Sequence, residues 1–244
     1  LKPLKKETLK AAPGDYAVYC NEACVLAAEI TARVSGITYE AYLRSALLDP
    51  MGLTITTISS DPALDAHDVA RCYDGDGNPL PPEIVAGGLS GSGGITSSAK
   101  ELAKFGDLLF KESAGIFSGH TISLLRELQY STKLGENNRF NGLGWDSVSY
   151  NFGGLSVYSK SGGTTGYRTQ LVTAPDEGIT VAGVATSPLS INKEMEQFMV
   201  DVLTEKGVIK AGEALPAPPA TAVVGAETAG LGGKYSLIGG ALLV

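Results

Sequence analysis

The composition of the chain excludes several classes of protein. It has 244 residues, enough to bury a sizeable core, and its formal charge of −7 argues against nucleic acid or an anionic membrane surface as the main partner. No apolar run approaches the ~20 residues of a membrane span. Three cysteines without a CxxC pair and two histidines outside any ligand-like spacing argue against a disulfide framework, a metal centre or a histidine-based catalytic site.

Two helices are predicted early in the chain. In 24–36, apolar residues recur at helical intervals and Gly36 stands in the C-cap position. These apolar residues are Leu26, Ile30 and Val34. The pattern repeats in 38–50, where Asp49 and Pro50 are expected to end the second helix.

A third helix is predicted after a polar, turn-rich stretch that extends to about residue 95. In "SSAKELAKFGDLLF", Ser98 and Glu101 have the spacing of a capping box, in which each side chain bonds the other residue's backbone N–H. Leu102, Phe105 and Leu109 then share one helix face.

From about residue 142 the apolar period changes to two, which is typical of strands. "GLGWDSV", "LSVYSK", "YRTQLVTA" and "GITVAGVAT" are predicted to be successive strands, with "APDEG" as a hairpin loop. The segment 190–207 returns to a helical pattern that ends at Gly207. Its predicted core residues are Met195, Phe198, Met199 and Val202.

The order of elements predicts an α+β architecture, an antiparallel sheet flanked by helices together with a helical region. We expect residues 1–210 to form one domain and 211–224, rich in proline and alanine, to be a linker. Residues 225–244 would then begin a truncated C-terminal module.

Two clusters of residues suggest catalytic chemistry. Tyr19 and Asn21 flank one residue just ahead of a predicted helix, and Lys160 interrupts a strand before Ser161 and two glycines. A tyrosine is a poor base at its ordinary pKa of ~10, but a nearby ammonium group favours its phenolate. The glycines would let a substrate lie along the strand, with the Gly163 N–H directed at an oxyanion.

Simpler interpretations of these residues remain open. Tyr19 alone is more simply a half-buried core tyrosine, and Asn21 a helix N-cap. Lys160 could be a solvated strand end before a glycine turn.

Together the two clusters resemble the serine β-lactamase-like family, which includes class C β-lactamases, penicillin-binding carboxypeptidases, esterases and D-aminopeptidases. "YCN" at 19–21 is similar to that family's Y-x-N motif, and Lys160-Ser161-Gly162 to its K-T/S-G motif. "AGGLSGSGGITSSAKELAKF" and "GLGW" resemble further segments in the same order. The resemblance covers about residues 8–206 and implies a β-lactamase/transpeptidase-like fold that is incomplete at its N-terminus.

The resemblance implies an acyl-serine mechanism for hydrolysis of an amide or ester, such as a β-lactam, a D-alanyl peptide or a carboxylic ester. Tyr19 would be the general base, Lys160 would tune it, and Asn21 would bind the substrate amide. Ser161 would bind a substrate carboxylate, with Gly162, Gly163 and Thr164 beside it. No metal or organic cofactor is implied, and a periplasmic or extracellular location is expected.

The nucleophile expected in an S-x-x-K motif is missing, because no serine precedes Tyr19. Ser97…Lys100 and Ser190…Lys193 match the motif, but each stands in the wrong order and opens a predicted helix, where capping explains it. We therefore expect the nucleophile outside these 244 residues, on another segment or an N-terminal fragment of the same protein. The alternatives are a peptidoglycan-peptide-binding protein without a nucleophile, or an inactive fragment.

Two further features have simpler explanations. "DGDGN" at 74–78 is similar to a calcium loop but lacks the later glycine and glutamate, so we expect a hydrated turn. Cys20 has no histidine base among its neighbours, and we expect a small buried residue.

Overall fold

The structure is a computed structural model. It describes residues 20–58, 69–80, 90–110, 115–127, 142–152, 155–164, 166–186 and 189–210, together with 8, 12, 212, 236–238 and 241–243.

Helices and antiparallel strands are combined in this part of the chain, which confirms the predicted α+β class. The helices are α1 (Asn21–Ser35), α2 (Tyr39–Leu43), a π-helical turn (Arg44–Leu48), α3 (Asp49–Met51), α4 (Ser90–Gly93), α5 (Ala99–Gly106), a 3-10 turn (Asp107–Leu109), α6 (Gly119–Arg126) and α7 (Asn192–Glu205). The strands are β1 (Thr57–Ile58), β2 (Cys72–Tyr73), β3 (Pro79–Leu80), β4 (Ile95–Thr96), β5 (Ser147–Phe152), β6 (Leu155–Gly163), β7 (Arg168–Ala174), β8 (Ile179–Ala185), β9 (Ser236–Ile238) and β10 (Ala241–Leu243). No helix among the described residues is both long enough and apolar enough to cross a membrane.

The main sheet is an antiparallel meander in the order β5-β6-β7-β8, as the period-two segments predict. Lys160 pairs with Leu171, and Gly163 pairs with Arg168 at the end of the ladder. β5 pairs with β6 only as far as Ser147 opposite Ser159. The "GLGW" segment lies ahead of β5 rather than in it, so among the described residues the β5 side of β6 has no strand partner beyond Ser159.

The two faces of this sheet bury different helices, because successive side chains of a strand point to opposite faces. One face packs on α7, where Met199 and Leu203 are fully buried against Val157 and Val172. The other face packs on α5, where Leu102 and Phe105 cover Tyr158, Leu171 and Trp145. Lys160 lies two residues after Tyr158 in β6, so it is on the same face of the sheet, the one that packs on α5.

Helix α1 differs from its prediction at one end and on one face. Gly36 adopts φ +75° as its C-cap, as predicted, but the N-cap is Cys20 and Asn21 is the first helical residue. Cys20 is exposed rather than buried, since its Sγ accepts the Ala23 N–H at the helix start. Ile30 and Val34 are 53% and 84% exposed, so these two residues of the apolar face are not buried.

The chain does not leave the second helix at Asp49 and Pro50 as predicted. The Asp49 N–H bonds the Arg44 carbonyl across the π-helical turn, and Pro50 sits near the start of α3. A proline is tolerated there because the first turn of a helix needs no N–H donor. Gly52, at φ +62°, ends the helix instead.

The last helix and the small hairpin follow their predictions more closely. Met199 of α7 is buried and Gly207 ends the segment at φ +73°, but Phe198 is 50% exposed and Leu203 takes the predicted core place beside Met199. Between β2 and β3, the Asp74 carboxylate accepts the Asp76 and Asn78 N–H groups, which confirms a polar turn at "DGDGN". The hydrogen bond from the Asn78 side chain, more than any other, lowers the pKa of the Asp74 carboxyl.

Candidate active site

The β5-facing edge of β6 is the open edge of the main sheet near Lys160. The Asp146 N–H donates to the Ser159 carbonyl at 3.0 Å, which shows that the backbone of Ser159 points to this edge. In an antiparallel strand, alternate residues direct their N–H and C=O groups to the same edge. The N–H groups of Ser161 and Gly163 therefore point to the edge that β5 leaves unpaired.

A carboxylate from the loop ahead of β5 occupies part of this edge. Asp146 Oδ1 lies 3.0 Å from Lys160 Nζ, while Oδ2 accepts from the Ser161 N–H at 2.8 Å and from the Ser161 hydroxyl at 2.6 Å. The side chains of Lys160 and Asp146 are 37% and 33% exposed, so the pair is accessible to solvent. The structure thus joins Lys160 and Ser161 through a residue that sequence reasoning missed.

The loop that carries Asp146 is anchored by Trp145. Trp145 is buried and meets Tyr158 edge-on, with ring centroids 6.3 Å apart. The Tyr158 hydroxyl in turn donates to the Arg126 carbonyl at 3.2 Å. The position of Asp146 directly after a core tryptophan is the signal in the sequence that could have identified it.

The two glycines after Ser161 differ in whether the structure has room for a side chain. A Cβ at Gly162 would overlap the hydroxyl of Thr169 on the paired strand, so a side chain does not fit there. A Cβ at Gly163 would come no closer than 3.4 Å to Arg168, which is ordinary contact. Gly163 itself is exposed.

Thr164 begins the turn between β6 and β7 rather than extending the edge. Its N–H donates to the Tyr167 carbonyl at 3.0 Å, and its own carbonyl accepts from the Arg168 guanidinium. Its hydroxyl oxygen is buried and has no hydrogen-bond partner within the described part of the chain. A role for Thr164 in substrate binding therefore stays a prediction.

The Y-x-N residues are not joined to the Lys160 segment by the described contacts. Tyr19 lies outside the described residues. Asn21 is half-buried at the first position of α1, and among the described residues its side chain makes no hydrogen bond to Lys160 or Ser161. The predicted roles of Tyr19 and Asn21 remain predictions.

The two downstream S-x-x-K serines have local structural partners. Ser97 Oγ lies 2.8 Å from the hydroxyl of Thr56, and the neighbouring Ser98 is the N-cap of α5. Ser190 Oγ accepts the N–H of Asn192 at 3.2 Å where α7 begins. These contacts agree with the capping interpretation.

Glu101 departs from the reciprocal capping box that the sequence predicts. Ser98 does accept the Glu101 N–H at 3.3 Å, but the Glu101 carboxylate turns to another segment. It accepts from the N–H groups of Ile55 at 3.0 Å and Thr56 at 2.7 Å and from the Thr56 hydroxyl. Burial acts to raise the pKa of this carboxyl, yet these hydrogen bonds together lower it below its ordinary value.

A cavity of about 610 Å³ lies away from the candidate site. It is bordered by Gly52, by α5 and by the turn between β7 and β8, with Glu101 and Asp107 in its lining. None of the predicted site residues lines it. The open edge of β6, where Lys160, Ser161 and Gly163 meet, is therefore the better candidate for chemistry.

Comparison with known proteins identifies the family of the chain. The family model described as Beta-lactamase matches residues 1–205. The D-alanyl-D-alanine-carboxypeptidase/endopeptidase AmpH of Escherichia coli K12 is 26% identical over 213 residues, covering 84% of this chain and 54% of AmpH. The chain thus spans about half the length of the curated relatives it matches.

Solved structures give the same fold. The octameric penicillin-binding protein homologue from Pyrococcus abyssi matches with a TM-score of 0.67 and 24% identity, covering 80% of this chain and 44% of that one. The D-amino acid amidase from Ochrobactrum anthropi SV3, complexed with L-phenylalanine amide, matches with a TM-score of 0.65 and 20% identity. The match covers 84% of this chain and 61% of the amidase chain. The fold is therefore β-lactamase/transpeptidase-like, as the motifs predict.

Proposed function

Because the chain belongs to the Beta-lactamase family, we propose that it acts in a serine hydrolase of the penicillin-recognising type. The reaction is hydrolysis of an amide or ester through an acyl-serine intermediate. The nucleophilic serine lies outside residues 1–244, since no serine precedes Tyr19.

The observation that carries this proposal is the unpaired edge of β6. Among the described residues, no strand pairs with Gly163 on this edge, so its backbone N–H is available there, while the Ser161 N–H and hydroxyl two residues earlier hold the Asp146 carboxylate. Preorganised N–H groups at such an edge stabilise the oxyanion of an acyl-transfer intermediate, and the same edge can bind an extended substrate.

Three residues of the two motifs, Tyr19, Asn21 and Lys160, then have defined roles. Tyr19, as phenolate beside the Lys160 ammonium, takes the proton of the serine hydroxyl while the serine oxygen bonds the carbonyl carbon. The proton passes to the leaving amine or alcohol as its bond to the carbonyl breaks. Tyr19 then accepts a proton from the water that attacks the acyl-serine. It returns this proton to the serine oxygen as the acyl–oxygen bond breaks and the acid is released, while Asn21 holds the substrate amide.

A second candidate is a peptidoglycan-peptide-binding protein without a nucleophile. The edge of β6 that no described strand pairs beyond Ser159 favours it, because such an edge can bind an extended peptide without a nucleophile. It predicts ligand binding along β6 with no covalent intermediate.

Intact-mass spectrometry before and after exposure to a fluorophosphonate probe tests the proposed function. In the hydrolase, a serine-containing polypeptide other than residues 1–244 gains the probe mass, and peptide mapping locates the modified serine. Labelling of nothing in the purified protein would support the binding protein and refute the hydrolase.

A matched pair of lysine variants sharpens this test. Lys160→Met should slow labelling by about 10²-fold or more, because general-base catalysis contributes that order of magnitude. Lys193→Met, at the exposed start of α7 and within the downstream S-x-x-K match, should label at the wild-type rate. Equal rates for the two variants would remove Lys160 from the mechanism.

A further inference from the structure

We propose that Asp146 is a specificity-determining residue that fills the carboxylate-binding position of this site with its own side chain. The site then favours amide or ester substrates that are neutral or cationic at that point over substrates that carry a carboxylate there. The inference rests on the proposed function for the placement of the substrate along β6.

The contacts of Asp146 are those of a bound anion. One carboxylate receives an ammonium group at 3.0 Å from Lys160, a backbone N–H at 2.8 Å and a hydroxyl at 2.6 Å from Ser161. Charge-assisted hydrogen bonds of this kind are short and are about twice as strong as neutral ones. These are the donors that a substrate carboxylate would need, and they are already engaged.

The carboxylate is presented by a fixed segment of backbone. The Asp146 N–H donates to the Ser159 carbonyl, and the preceding Trp145 is buried against Tyr158. A group held this close has a high effective concentration at its partners. A free carboxylate must therefore displace a tethered competitor.

The charge balance of the edge points the same way. The Lys160 ammonium would attract an anion by itself, but Asp146 neutralises it at contact distance. The next cation along the sheet, Arg168, directs its guanidinium to the carbonyls of Thr164 and Tyr167. An arriving anion meets a compensated pair, whereas a carboxamide, an ester or an ammonium group does not have to displace Asp146.

The size of the effect follows from occupancy. If Asp146 occupies the position about ten times as often as it leaves it, the apparent affinity for a competing carboxylate falls about tenfold. Removing the Asp146 carboxylate should restore that factor for acids and leave amides unaffected. A residue that acts only on the fold would change both classes together.

The experiment compares two probes that differ only in this group, acetyl-D-alanyl-D-alanine and its C-terminal amide. Calorimetric titration gives the acid-to-amide affinity ratio for the wild type, Asp146→Ala and Asp146→Asn. Asp76→Asn, which makes the same charge change in the exposed turn between β2 and β3, is the control for net charge. Thermal unfolding of each variant checks that it is folded, and the isosteric Asp146→Asn serves if the alanine variant is not.

The expected result is that both Asp146 variants raise the acid-to-amide ratio about tenfold while Asp76→Asn leaves it unchanged. Adding Ser161→Ala to Asp146→Ala should remove most of the gain, because the acid then loses the hydroxyl donor. An unchanged ratio, an equal loss for both probes, or no binding of either probe to any variant overturns the proposal. Because the readout is binding, a shifted ratio without probe labelling would refute the hydrolase alone and leave the role of Asp146 standing.

Discussion

Replacing Glu101 by alanine should destabilise the fold, because buried donors lose their acceptor. The carboxylate is 7% exposed and accepts from the Thr56 N–H at 2.7 Å and the Thr56 hydroxyl, in a residue that is itself 5% exposed. Ile55 also donates its N–H, but that residue is exposed and its N–H can bond water instead.

The magnitude follows from these donors. A buried donor left without an acceptor costs about 1–3 kcal/mol, and more when the lost acceptor is charged. The Thr56 hydroxyl keeps a second partner in Ser97 at 2.8 Å, so the Thr56 N–H accounts for most of the loss. We expect Glu101→Ala to lower the free energy of unfolding by about 2–4 kcal/mol.

Urea unfolding followed by the fluorescence of the single, buried Trp145 measures this loss. Glu177→Ala, in the exposed turn after β7, is the control and should change stability by no more than about 0.5 kcal/mol. The free energy of unfolding of Glu101→Gln should lie between those of Glu101→Ala and Glu177→Ala, because glutamine keeps one acceptor oxygen and loses the charge.

The stabilisation by Glu101 should also depend on pH. Hydrogen bonds hold the folded-state pKa of this carboxyl below its ordinary value of 4.5, so the stabilisation is fully present above that pH. It is lost as the pH falls through the lower folded-state pKa, and the difference between wild type and Glu101→Gln should then shrink. A difference that is the same at about pH 7 and about pH 3, or a loss under about 0.5 kcal/mol in Glu101→Ala, would refute the reasoning.

Two further predictions concern the strand with Lys160 and the cysteines. Gly162→Ala should destabilise by about 1–3 kcal/mol through overlap with the Thr169 hydroxyl, and much less in a Thr169→Ala background; a double-mutant cycle without coupling would contradict this. A thiol reagent such as dithionitrobenzoate should titrate the exposed Cys20 and Cys24 in the native protein and the buried Cys72 only after unfolding, so fast reaction of all three would contradict the burial of Cys72.

Local chemistry was enough to predict the main sheet and several helix ends. The alternation in β7 places Leu171 on one face and Val172 on the other, and each is buried in a different cluster. Gly36 and Gly207 end helices at positive φ, which glycine adopts without strain. Such features depend only on residues close in sequence, so the sequence carries them directly.

Periodicity was not enough to predict which faces are covered. Val34 has the helical spacing of a core residue and yet is 84% exposed, whereas Ala28 of the same helix is buried. The spacing identifies residues that share a face, but burial depends on a neighbouring element from elsewhere in the chain. The same holds for Phe198, which is 50% exposed, whereas Leu203, five residues further along α7, is fully buried.

In the candidate site, too, local signals in the sequence were enough for some residues and not for others. Lys160 and Ser161 were found because they interrupt an alternating strand, which is a local signal. Asp146 was missed because it precedes Ser161 by fifteen residues, and the two come into contact only through the pairing of β5 with β6. Glu101 was found as a capping residue, but its carboxylate bonds a segment more than forty residues earlier.

The charge of a motif is therefore not the charge of its site. The family resemblance implies that Ser161 binds a substrate carboxylate, and the K-S-G motif contains an ammonium and no acid. In the structure the ammonium and Asp146 form a compensated pair, and the hydroxyl and N–H of Ser161 bond the same carboxylate. What the edge selects then depends on Asp146, the residue that precedes β5, because its carboxylate occupies donors of the motif that a ligand would otherwise meet.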